Sequence, residues 1–194
     1  WLTAFPTCRK IPSTGKGSCA WPGTIHGAID GIPGNGTRND GTLEHGRDRY
    51  KMETGCFDER TERNISTLLP EAQKAARQWF KLARNEAVNQ GYEAKIICGT
   101  RTYAEQNDLY RQRPKVTNAR GGQSWHNFGL AWDFGIFQDR NYLPNHPLYT
   151  TLGKLYAKID GLEWGGTWKS FTDPPHLQLH QFGSISEARR SFET

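Results

Sequence analysis

An aspartate stands inside the most apolar run of this chain, and that placement limits what the chain can fold into. The run is Gly129 to Phe137, "GLAWDFGIF". Its alternation puts Leu130, Trp132, Phe134 and Ile136 on one face and Ala131, Asp133 and Gly135 on the other, which is the period of a β-strand. A carboxylate carried into a sheet is costly unless it is paired, hydrogen-bonded or bound to a cation. The fold must therefore bring a partner to Asp133.

Two later and earlier segments offer one. In "WGGTWKSFTDPPHLQLH", His176 opens a short strand directly after two prolines, with His176, Gln178 and His180 on one face and Leu177 and Leu179 on the other. If that strand neighbours the Asp133 strand, the two side chains converge. His126, in the polar turn "SWHN" at the entrance of the Asp133 strand, then completes a His, Asp, His set. Three protein ligands with an open fourth position is the layout of catalytic zinc. A zinc hydrolase also needs a base that is not a ligand. Asp173, three residues before His176 across the Pro-Pro turn, is the candidate. Arg101, at the end of the "AKIICGTR" strand, is the candidate cation for an oxyanion.

The rest of the chain reads as two regions. Ten of the 21 glycines lie in residues 1–56, with Pro6, Pro12, Pro22 and Pro33 and no hydrophobic periodicity. That stretch reads as a loop-rich extension pinned by cysteines. Residues 57–194 carry the regular patterns. Ala72, Ala75, Ala76, Trp79, Leu82, Ala83 and Ala87 form a helical stripe, with Pro70 in its first turn and Gly91 closing it. "AKIICGT" is a strand, "TYAEQNDLYRQR" a helix opened by a Thr102–Glu105 capping box, and "HPLYTTLGKLYAKIDG" a further helix. "LEWGG" and "HLQLHQF" are short strands. Without a regular βαβ rhythm, the expected class is α+β with a small, mostly antiparallel sheet.

Four cysteines, Cys8, Cys19, Cys56 and Cys98, lack zinc-finger spacing and are read as two disulfides of an oxidising compartment; three connectivities are open, of which Cys8–Cys19 with Cys56–Cys98 is preferred because the first pair closes a local loop. Asn35 and Asn64 head N-glycosylation sequons, and the start at Trp1 is read as that of a processed, secreted chain. No apolar run reaches the roughly 20 residues that span a bilayer. The net charge of +5 favours an anionic partner, with nucleic acid and the anionic polymers of a bacterial wall as candidates; no nucleic-acid motif accompanies it, and most of these charges read as a solvated basic face. A monomer is expected.

Three blocks carry a family resemblance. "GTRTYAEQ", "SWHNFGLAWD" and "GLEWGGTWKSFTDPPH" look like those of the zinc-dependent peptidoglycan peptidases, which include D-Ala-D-Ala carboxypeptidases and dipeptidases and L-alanyl-D-glutamate endopeptidases of phage endolysins. Ser124, His126, Gly129, Ala131 and Asp133 meet the family's S-x-H-x-x-G-x-A-x-D pattern, and Asp173 and His176 its acid-x-x-H pattern. The resemblance implies a fold like that of DD-peptidases and hedgehog-type domains, and one zinc ion per chain held by His126, Asp133 and His176. It implies Asp173 as base and Arg101 as the residue polarising the scissile carbonyl. Ser124, Gln106 and Trp168 are expected at the substrate. Carboxypeptidases and dipeptidases of the family typically use Glu as base, so Asp173 resembles the endopeptidase branch, which cuts the stem peptide between L-Ala and D-Glu. The expectation is a secreted, cell-wall-lytic, antimicrobial enzyme. Two alternatives remain: a D-Ala-D-Ala carboxypeptidase or dipeptidase, and a non-catalytic zinc-containing wall-binding module. Leu177, where the family usually has Phe, is a local departure, and residues 1–56 match no part of the pattern.

Overall fold

The computed structural model describes residues 57–193. The 1–56 extension, Cys8, Cys19, Cys56 and the Asn35 sequon lie outside the described residues, and with them one member of each expected disulfide or both.

Five strands form one antiparallel sheet: β1 (Glu93–Cys98), β2 (Ala131–Gln138), β3 (Asn141–Tyr142), β4 (Leu162–Trp164) and β5 (His176–Leu179). The order is β1-β2-β5-β4, with β3 paired to the end of β2. Thus β2 is central, and Asp133 has a strand on either side. On one face Leu130, Trp132, Phe134 and Ile136 are fully buried, as the alternation requires. The long helix α2 (Pro70–Asn89) covers this layer. Its stripe of Ala72, Ala76, Trp79, Phe80, Ala83 and Ala87 is buried, and the Trp79 ring lies 4.8 Å from Phe134. Small residues along the stripe let the helix approach the sheet, and the aromatics fill the space between them.

Helix α1 (Glu59–Ser66) starts at an Asp58 cap, whose carboxylate accepts from the Thr61 amide and hydroxyl at 3.2 and 2.6 Å. It closes the exposed edge of β1. The Ile96 amide donates to Thr61 Oγ1 at 3.1 Å, and Asn64 Nδ2 donates to the Ile96 carbonyl at 2.7 Å. The side chain that heads the Asn64 sequon is thus tied to the sheet. Helix α3 (Tyr103–Arg111) opens with the expected Thr102–Glu105 capping box. The helix expected over "HPLYTTLGKLYAKIDG" is α-helical only as α4 (Leu148–Gly153) and tightens to a 3₁₀ turn over Lys154–Lys158. The break falls where the Trp164 ring abuts Gly153, whose missing side chain leaves it room. Helix α5 (Ile185–Glu193) lays Phe192 against Phe128, with ring centroids 5.5 Å apart.

Candidate metal centre

The sheet register gathers the site. Asp133 pairs with His176 on β5 and with Cys98 on β1, where a bulge between Ile96 and Cys98 shifts the register. His126 comes from a 3₁₀ turn, Trp125–Phe128, that ends at Gly129 with φ +65°. A side chain at Gly129 would meet the Leu69 amide at 3.0 Å, so the turn needs glycine both for its backbone and for its packing. Asn127 locks the turn: its Oδ1 accepts from the Gly122 and Ser124 amides, and its Nδ2 donates to the Arg101 carbonyl at 3.0 Å.

Three atoms meet at the centre. His126 Nε2, His176 Nδ1 and Asp133 Oδ1 form a triangle with edges of 3.2 Å. Ligands at about 2.0–2.1 Å from a tetrahedral zinc ion stand roughly 3.3 Å apart, so the triangle has the right size. The tautomers have the right sense as well. His126 Nδ1 donates to the Gly99 carbonyl at 2.8 Å, which leaves a lone pair on Nε2. His176 Nε2 faces Gln178 Oε1 at 3.1 Å, which leaves a lone pair on Nδ1. Three acceptors thus face one another with no donor among them, in a place where His126 and His176 are 2% and 7% exposed. Only a cation or captured protons satisfy such a set. Cys98 Sγ belongs to a looser set with His126 and Asp133, its ligand atoms within 4.8 Å of one another. The Cys98 sulfur accepts from Arg101 Nε at 3.1 Å, and the His176 set is the tighter.

Charge agrees with geometry. Burial alone would raise the Asp133 carboxyl, but His126 and Arg101 hold it well below the usual carboxylate range. Burial and Arg101 oppose a proton on His126, and burial opposes one on His176; the Asp133 carboxylate outweighs them and raises both. Burial, and then the charge of Asp133, push the Asp173 carboxyl above its ordinary range, against the pull of His176, His126 and Arg101.

Asp173 is half-buried, its carbonyl accepting from the His176 amide at 3.1 Å, on a turn fixed at several points. Its amide donates to the Gly165 carbonyl at 3.0 Å, Trp164 Nε1 donates to the Pro174 carbonyl at 2.7 Å, and the Phe134 amide donates to the Pro175 carbonyl at 3.0 Å. A Cβ on Gly165 would stand 2.6 Å from the Asp173 carbonyl oxygen, so the "EWGG" block fits the "DPPH" turn only with glycine there.

The remaining expected residues divide. Arg101 is at the centre, its Nη2 paired with Asp133 Oδ2. Gln106 is fully buried, with Oε1 accepting from Arg101 Nη1 at 3.3 Å and Nε2 donating to the Ala119 carbonyl at 3.0 Å. It ties Arg101 to the 112–123 loop from beneath the surface. The Trp168 ring lies 5.2 Å from His176, at the rim. Ser124 is half-buried, with its amide on Asn127. Sequence reasoning passed over Cys98, Glu163 and Gln178 as members of the site. Only Gln178 carried a signal, its place on the His176 face.

Residues 117–179 match the family described as D-alanyl-D-alanine carboxypeptidase. The chain is 42% identical over 107 residues to the peptidoglycan L-alanyl-D-glutamate endopeptidase CwlK of Bacillus subtilis, a match covering 48% of this chain and 64% of that protein. The chain therefore spans less than two thirds of the length of that relative. Among solved structures, the Serratia marcescens L-Ala D-Glu endopeptidase ChiX aligns with 71% of this chain and 93% of its own, at TM-score 0.49 and 22% identity. The LD-carboxypeptidase LdcB aligns over 71% of this chain and 69% of its own, at TM-score 0.44 and 18% identity.

Proposed function

We propose that this chain, a relative of the peptidoglycan peptidases, is a secreted, monomeric zinc metallopeptidase that cuts bacterial stem peptides between L-Ala and D-Glu. The observation that carries the reading is the donor-free triangle of His126 Nε2, His176 Nδ1 and Asp133 Oδ1 with a carboxyl of raised pKa beside it. The likeness to CwlK supports the choice of bond, as does aspartate at the base position.

In this reading His126, Asp133 and His176 hold the ion. A zinc ion bound there would supply Lewis acidity and bring the pKa of a coordinated water to about 7. Asp173 takes the proton of the attacking water on its carboxylate and gives it to the departing amine. A carboxyl held above its ordinary range is better matched to that transfer than a surface aspartate. Arg101 balances the Asp133 carboxylate and meets the charge that develops on the scissile carbonyl oxygen. Trp168 forms an aromatic wall against which the peptide lies, and Ser124 contributes at the polar edge of the cleft. The basic surface favours retention on anionic wall polymers.

The test is digestion of purified peptidoglycan with and without a chelator, followed by mass spectrometry of the released fragments. New D-Glu amine ends, dependent on stoichiometric zinc, are expected. Release of terminal D-Ala instead assigns a carboxypeptidase. Zinc binding with no cleavage at all assigns a wall-binding module.

A further inference from the structure

Beyond the triangle, one carboxylate lies where no part of the proposed chemistry uses it. Glu163, on β4, pairs in register with Gln178 on β5. Its Oε1 accepts from Trp168 Nε1, and its Oε2 accepts from Gln178 Nε2 at 2.8 Å and from His180 Nε2. Burial works against its charge, yet the Trp168, His180 and Gln178 donors outweigh it and hold the carboxyl below the usual range. Glu163 is thus ionised and only accepts.

That has a consequence two bonds away. A primary amide has one donating and one accepting end. Because Gln178 must turn its Nε2 to the Glu163 carboxylate, its Oε1 must turn to His176. An oxygen there requires the proton of the neutral His176 ring to sit on Nε2, and the lone pair to sit on Nδ1, the atom in the triangle. With the amide reversed, its Nε2 would face His176 Nε2. The ring would then carry its proton on Nδ1 and point an N–H into the site. The same carboxylate anchors the Trp168 indole whose ring lies 5.2 Å from His176.

We propose that Glu163 is a positioning residue: acting through Gln178, it sets the tautomer of His176 and so the zinc affinity of the centre, while holding Trp168 beside it. The inference rests on the reading of His126, Asp133 and His176 as zinc ligands. Outer partners of metal-bound histidines typically change metal affinity by about 10–100-fold when altered.

The experiment measures zinc affinity by competition with a chromophoric chelator, and the thermal midpoint of the metal-free protein, for the wild type, Glu163→Gln and the double variant Glu163→Gln/Gln178→Glu. Glutamine at 163 offers Gln178 a donor as well as an acceptor and frees the amide to reverse. A loss of about tenfold or more in zinc affinity is expected, with the metal-free midpoint little changed. The double variant puts a carboxylate, which only accepts, directly on His176 Nε2. It should recover most of the lost affinity, which a merely structural role for Glu163 would not do. Wild-type affinity in Glu163→Gln, or no recovery in the double variant, overturns the proposal. Imidazole ¹⁵N NMR of the wild type provides a test independent of any variant's folding. His176 should be protonated on Nε2 and bind zinc through Nδ1, and the reverse assignment overturns the proposal. A wild type that takes up no zinc overturns the ligand reading itself, whereas zinc uptake with an unaffected Glu163→Gln overturns only the role of Glu163.

Discussion

His126 and His176 reach Asp133 from different parts of the chain, and each arrives with its tautomer set by a neighbour, a backbone carbonyl for one and an amide side chain for the other. In the metal-free protein the triangle then captures protons, which gives a pH dependence of definite sign. Both imidazoles are raised above their ordinary value of about 6.5, so the folded state binds those protons more tightly than the unfolded chain. Their stabilisation is full below about pH 6.5 and is lost as pH rises through the raised values. Asp133, shifted the other way, contributes above its ordinary value of about 4 and loses its contribution only in stronger acid, outside this window. The thermal midpoint of the metal-free protein should therefore fall as pH rises above about 6.5. With zinc present it should rise over the same range, because protons no longer compete for the ligands. Parallel trends in the two forms would count against the centre. Asp173 makes no ligand contact in this reading, so Asp173→Asn should keep its zinc and its melting temperature while losing about 10²–10⁴ of its hydrolysis rate, measured as amine ends released.

At the scale of elements, the site depends on how the loops seat against the sheet. Gly165 admits the Asp173 turn, and Gly165→Ala places a methyl against the Asp173 carbonyl oxygen. The expected outcome is a loss of hydrolysis larger than the loss of thermal stability, compared on the same preparation. Trp79, by contrast, packs between α2 and the sheet and donates its Nε1 to the Leu152 carbonyl on α4, and Trp79→Ala should cost about 3–5 kcal/mol in denaturant unfolding with zinc affinity of the folded protein unchanged. The elements with strong local signals were legible: α2 by its apolar stripe, α3 by its capping box, β2 by its alternation. Helix α1 was not, since its buried residues are only Thr61 and Ile65, and its role is to satisfy the β1 edge. Helix α5 buries a single alanine fully and leans on Phe128 of the 3₁₀ turn, a contact no local pattern announces. The helix after Pro147 was read too long because its pattern continues through the turn where Trp164 meets Gly153.

For the whole molecule, the described residues hold one core, from Ile65 on α1 to Ala188 on α5, wrapped around a single sheet. Among them no helix is long and apolar enough to cross a membrane. If the division at residue 57 is a domain boundary, a chain of residues 57–194 alone should unfold cooperatively and bind one zinc ion. A non-cooperative melt would move the boundary.

What the sequence by itself determined is the set of candidate ligands. The chemistry of a carboxylate in an apolar strand, a histidine in the turn before it and an acid-x-x-H turn beside it is written in residue type and spacing, because each lies within a few positions of a strong strand or turn signal. What only the tertiary structure decided is everything that depends on which strand lies beside which. The β1 bulge places Cys98 across from Asp133, Arg101 turns inward to pair with that aspartate, and Gln106 disappears beneath the surface to hold it there. The β4–β5 register sets Glu163 opposite Gln178 and, through it, the proton on His176. Such relations join residues far apart along the chain through single hydrogen bonds, and a hydrogen bond between distant side chains leaves no period in a sequence.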